Sequence, residues 1–143
     1  TNLVKNDTNG TWDVFVHDRK TGKTKRVSKR SNGTESNGYS DGASISGNGR
    51  YVAFRSDATN LVNNDTNGVR DVFVHDRKTG KTRRVSKRSN GTEGNDASED
   101  ASISGDGRYV AFESDATNLV KNDTNGEQDV FWRHLTCCRY PHH

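Results

Sequence analysis

Long apolar runs are absent from this chain of 143 residues. No stretch approaches the roughly 20 apolar residues of a membrane-spanning helix, and none resembles the apolar core of a signal peptide. Hydrophobic residues make up only 27% and aromatic residues 8%, with a mean hydropathy of −1.09. Polarity of that degree ordinarily leaves too little apolar surface to offset the conformational entropy lost on folding. Cysteine is scarce as well. Cys137 and Cys138 are adjacent, and sequence neighbours bridge each other only through a strained ring, so no disulfide framework is expected. The formal net charge of +3 is too small to identify a partner. The chain opens at Thr1 without methionine, as a processed protein or an excised fragment would.

What is present is order. Thr1-Asn2-Leu3-Val4 returns as Thr59-Asn60-Leu61-Val62 and again as Thr117-Asn118-Leu119-Val120, a spacing of 58 residues. Residues 1–58 and 59–116 differ at only 11 positions, and a third, partial copy runs from 117 to about Phe131. Apolar residues fall in short clusters flanked by Gly, Asn, Asp, Ser and Thr, the pattern of many short strands around a thin core. Nowhere do they recur at three- and four-residue spacing over a helix length.

One unit predicts four strands. Ala43-Ser44-Ile45-Ser46 forms the first and ends in the turn Gly47-Asn48-Gly49. Arg50 to Arg55 follows, apolar on both faces; Asp71 to Asp76 is the third; the turn Arg77-Lys78-Thr79-Gly80 leads into a fourth over Lys81 to Lys87. A polar linker, Ser89 to Asp100, reaches the next unit. Apolar content falls from the second strand to the fourth, as in a propeller blade whose inner strands pack between neighbours while the outer one meets solvent.

The stretches Ser46-Gly47-Asn48-Gly49-Arg50-Tyr51-Val52-Ala53-Phe54 and Ser104-Gly105-Asp106-Gly107-Arg108-Tyr109-Val110-Ala111-Phe112 resemble the S-x-D-G-R-x-V-A-F core of TolB-like, WD-repeat-like propeller blades. Asn64-Asp65-Thr66-Asn67-Gly68 and Asp71 to Gly80 are similar to the other half of that unit. The resemblance covers residues 1–131. It implies four-stranded blades, bacterial extracytoplasmic relatives, and protein-binding or scaffold roles without chemistry. Asn48 departs from the usual Asp, and everything after Phe131 leaves the pattern.

The predicted fold is therefore all-β, with four-stranded antiparallel blades in an incomplete ring. The register gives strands three and four of one blade (about 13–18 and 23–29), a full blade (about 43–87), and three strands of another (about 101–131). A closed propeller takes about four to eight blades, so the expectation is completion by head-to-tail assembly into a homo-oligomeric ring or a filament. A piece of a longer propeller is the alternative. Residues 117–131 copy 1–15, so two segments would compete for one third-strand place.

Several groups are candidates for chemistry. Asp7, Asn9 and Asp13, with Asp65, Asn67, Asp71 and Asp123, Asn125, Asp129, place oxygen ligands at spacings that suit Ca²⁺. The other reading is an Asx turn whose side chains satisfy loop N–H groups. Arg19, Lys20, Lys23, Lys25, Arg26, Lys29 and Arg30, with their counterparts Arg77, Lys78, Lys81, Arg83, Arg84, Lys87 and Arg88, hold fourteen of the 22 basic residues. With no aromatic residues interleaved to stack on bases, nucleic acid is not the expected partner; charge on an outer strand blocks edge-to-edge aggregation. His17 and His75 stand beside Asp18 and Asp76 and read as structural His–Asp hydrogen bonds, with no G-x-S-x-G elbow to suggest a hydrolase. Asn-x-Thr sequons at Asn6, Asn9, Asn32, Asn64, Asn90 and Asn122 follow from the repeat itself. In the tail, His134, Cys137, Cys138, His142 and His143 are zinc-type ligands without a recognised zinc spacing, and Trp132, Leu135 and Tyr140 are suited to cover a blade face.

Two functions follow as expectations. One is a non-enzymatic, self-assembling scaffold. The other is a secreted or periplasmic binding module for a protein or glycan, calcium-stabilised, that uses the few positions differing between copies: Thr11/Val69/Glu127, Trp12/Arg70/Gln128, Tyr39/Ala97 and Arg55/Glu113.

Overall fold

The computed structural model describes residues 2–135, and among them are nine strands and no helix. β1 (Phe15–Asp18) and β2 (Lys23–Arg26) form a hairpin. β3 (Ser40–Ile45), β4 (Tyr51–Ser56), β5 (Asp71–Asp76) and β6 (Lys81–Arg84) form a four-stranded sheet in sequence order. β7 (Ser98–Ile103), β8 (Tyr109–Ser114) and β9 (Asp129–His134) form a three-stranded one. Every pairing is antiparallel. The fold is all-β and its ring is not closed.

The central sheet is sandwiched. Side chains alternate across a strand, and both sets on β4 and β5 are buried. Val52, Phe54 and Phe73 pack with Val14, Val27, Ala58 and Leu61 on the N-terminal side. Ala53, Val72 and Val74 pack with Ile103, Val110, Phe112 and Leu119 on the C-terminal side. Short meander sheets stacked face to face in this way are propeller-like. A chain with so few apolar residues folds because its buried ones are concentrated in these two seams.

The hairpin tips of adjacent sheets meet at glycine. The Gly47 N–H donates to the Gly105 carbonyl at 2.8 Å, and a Cβ on Gly47 would lie 2.9 Å from that oxygen. At the tip itself, Asn48 Oδ1 accepts from Ser46 Oγ and from the Arg50 N–H. Asp106 accepts the same pair from Ser104 and Arg108. The Asn-for-Asp exchange therefore preserves the turn.

Three boundaries differ from the sequence expectation. The first strand of each blade begins at Ser40 and Ser98, inside the polar linker and not at Ala43 or Ala101, across a bulge where Gly42 and Asp100 adopt φ of 61° and 45°. Hydrophobicity gave no sign of it because main-chain pairing there is made by Ser, Asp and Glu residues. The fourth strands stop at Arg26 and Arg84; Val27 and Val85 donate back to Val14 and Val72, and the chain then leaves the sheet. Finally, β9 continues to His134, past the last repeat residue Phe131, with Tyr109 opposite His134.

Candidate functional site

The calcium-type residues gather, but around an arginine. In the second copy, Asn67 Oδ1 accepts the Val69 N–H, the predicted Asx turn, while its Nδ2 donates to Asp71 at 2.9 Å and to the Gly94 carbonyl at 3.0 Å. Ser86 Oγ donates to the other Asp71 oxygen at 2.6 Å. The Arg84 guanidinium, 8% exposed, lies 3.3 Å from Asp65, 3.1 Å from Asp71 and 2.8 Å from Glu93. Glu93 in turn accepts from the Thr66 N–H and hydroxyl. A fixed cation thus holds the place expected for an ion.

The first copy repeats the arrangement with Arg26 on Asp7, Asp13 and Glu35. In the third copy, Asn125 binds Asp129 and accepts the Glu127 N–H, and no fourth strand follows among the described residues to supply an arginine to Asp123 and Asp129. No group of three or more His, Cys, Asp or Glu placed to hold a metal occurs among the described residues. The His134 ring packs at a tilt of 51° against Tyr109, with ring centroids 4.8 Å apart. Cys137, Cys138, Tyr140, His142 and His143 lie outside the described residues.

Charge explains the cluster. Burial, reinforced by neighbouring Asp71, raises the Asp65 carboxyl to about 6 against the pull of Arg84. Burial also raises Asp71, opposed by its Ser86, Asn67 and Arg84 hydrogen bonds. For Arg84 itself burial works against the charge, but Asp71, Glu93 and Asp65 outweigh it and its pKa rises. Each carboxylate depends on the guanidinium. Arg26 and Arg84 are therefore not part of the outward-facing basic ridge in which the sequence placed them.

The expected His–Asp pairs are also corrected. His75 Nδ1 meets Thr82 Oγ1 at 2.8 Å, and His17 meets Thr24 at the same distance. Asp76 instead receives the Arg50 side chain at 2.9 and 2.8 Å. Burial, with Lys29 adding to it, lowers His75 to about 4 despite Asp76, so its imidazole is neutral near pH 7.

A second feature stands where the copies differ. Of the 11 positions that change between the first two copies, those at Thr11, Trp12, Gly38, Tyr39, Asp41, Gly42 and Arg55 lie at one end of the sheets, where first strands begin and second strands end. Main-chain bonds join them: the Ser40 N–H donates to the Trp12 carbonyl and the Ser98 N–H to that of Arg70. Trp12 and Tyr39, 69% and 55% exposed, form an edge-to-face pair with ring centroids 6.0 Å apart. With Asp41 and Arg70 they line a shallow cavity of about 280 Å³. Arg55 bridges Asp41 at 2.6 Å, Glu99 at 3.0 Å and Asp100 at 3.3 Å, and Arg70 holds Asp57 at 2.8 Å.

No family model matches the chain, and no curated protein matches it. Among solved structures it is similar to TolB from Acinetobacter baumannii, with 18% identity over 86% of this chain and a TM-score of 0.48. The chain spans 24% of that structure's length. Its propeller-like architecture is defined by its own strand pairing and sheet packing. Among the described residues, no helix is long and apolar enough to cross a membrane.

Proposed function

We propose that the chain is a non-enzymatic binding module of an extracytoplasmic protein, taking a protein ligand at the end where β3 and β7 begin. One observation carries this: seven of the 11 differences between the first two copies gather at that one end of the sheets. That surface presents Trp, Tyr and Arg, the residue types that dominate binding energy at protein interfaces. Trp12 and Tyr39 offer large area at low entropic cost. Arg55 and Arg70 are already fixed by carboxylates, so little freedom is lost when a partner binds. The test is panning random displayed peptides against the immobilised chain, alongside a Trp12→Ala/Arg70→Ala variant. Enrichment by the parent and not by the variant supports the reading. Equal enrichment by both overturns it, and binding confined to a glycan array assigns the ligand to sugars.

A second reading, assembly of copies into a ring or filament, is favoured by the apolar surface of β9. Val130 and Trp132 are 72% and 71% exposed there, next to Tyr109. Such a patch on a sheet edge marks an interaction site. Light scattering on the purified chain tests it; a monodisperse monomer removes it.

A further inference from the structure

Resting on that assembly reading, we propose the contact that makes it: the β1–β2 hairpin of a second copy docks on β8, displaces β9, and pairs its Asp18 with Arg108. The central sheet is the template. There Tyr51 of β4 faces Asp76 of β5, and the neighbouring Arg50 makes a bidentate bond to Asp76. Asp76 simultaneously accepts the Lys78 N–H of its own turn.

Each flanking sheet holds half of this arrangement. Arg108 occupies the place of Arg50, but the residue of β9 in the place of Asp76 is His134. The Arg108 side chain is 66% exposed, and its nearest carboxylate is Asp106 of the same turn, 3.9 Å away. Conversely, Asp18 occupies the place of Asp76 at the end of β1. It accepts the Lys20 N–H at 2.8 Å, the counterpart of the Lys78 bond, and has the same capacity for an arginine. β1 pairs only with β2 among the described residues, so its other edge is the one that would meet a second strand.

β9 is also the poorer occupant of its place. Trp132 stands 71% exposed where Val74 of the central sheet is 1% exposed. Arg133 stands where His75 is, pushes its guanidinium into a partly buried space, and donates to the Lys87 carbonyl. Burial lowers the pKa of both Arg133 and Lys87, and Arg133 lowers Lys87 further, so two cations crowd one site. The β1 sequence supplies Val16 and His17 at these positions. Docking would set Asp18 opposite Tyr109 and Phe15 opposite Phe112, copying Asp76–Tyr51 and Phe73–Phe54. The Arg26 cluster lies within the incoming segment and moves intact.

Charge reversal tests the pair. Asp18→Arg and Arg108→Asp are each expected to weaken association at least about tenfold, measured by sedimentation across a dilution series. The double variant restores it, because the two charges are then exchanged across the contact and attract again. Circular dichroism of each variant checks that the strands remain. A parent that is monomeric at all concentrations overturns both this contact and the assembly reading. A parent that associates, with all three variants associating equally, overturns this contact alone, and assembly then runs through another surface.

Discussion

β5 and β9 both begin Asp-Val-Phe and are paired to sister strands in the same register. Yet Val72 is fully buried and Val130 is 72% exposed, and Phe73 is fully buried while Phe131 is only half-buried. Residue type made the strand in both places. What differs is cover: β5 has β6 beside it and a sheet on each face, while β9 has β8 alone among the described strands. In a repeat protein burial belongs to the neighbour relation and not to the residue.

The sharpest way to break that comparison is Arg84→Met. It removes the guanidinium from Asp65, Asp71 and Glu93 and leaves two enclosed carboxylates unpaired, a change that costs about 3–5 kcal/mol for a buried pair. Urea melts should show this loss at pH 7 and a smaller one in acid, because protonating Asp65 and Asp71 relieves the uncompensated charge. A loss below about 1 kcal/mol would mean that water, not protein, surrounds the cluster.

The strands were legible because apolar clusters and Gly-Asn or Gly-Asp turns mark them directly. The bulged starts at Ser40 and Ser98 were not, since Ser, Asp and Glu residues in an edge-forming stretch look like loop. The Asx turns at Asn9, Asn67 and Asn125 were readable from spacing alone, being local. The arginine that fills the cluster was not, because it comes from the outer strand, where alternation of exposed and buried residues is hidden in an all-polar Lys-Thr-Arg-Arg sequence. The differing positions were visible one by one. Their convergence required the fold, since Trp12 and Tyr39 are 27 residues apart in the chain.

His75 sharpens the comparison next, since β9 carries Arg133 at the same position and has nothing there to titrate below pH 7. A folded value near 4 against about 6.5 in the unfolded chain means the unfolded state binds the extra proton first. The stability this contributes is full above pH 6.5 and is lost as pH falls towards 4, by at most about 3 kcal/mol. Asp65, raised to about 6, acts in the opposite direction, losing stability as pH rises from 3.8 through 6. The useful quantity is therefore the difference between the parent and His75→Asn, which keeps a hydrogen-bonding group for Thr82. That difference should shrink steadily from pH 7 to pH 4. A constant difference would show that the imidazole titrates alike in the folded and unfolded chain, and so is not held neutral by burial.

The smallest effect comes from a pair of identical substitutions. Asn67 and Asn125 make the same Asx turn and donate to equivalent aspartates, Asp71 and Asp129, but Asn67 also donates to the Gly94 carbonyl across the seam between loops. Asn67→Ala removes donors from the buried Asp71 carboxylate and from a carbonyl, a loss of about 1–2 kcal/mol. Asn125→Ala acts on an exposed loop and should stay within about 0.5 kcal/mol. If the two cost the same, the third loop is as enclosed as the second, and cover supplied by a neighbouring strand cannot be what separates β5 from β9. If they differ as expected, the turn is set by local sequence and its energetic weight by the strand that closes over it.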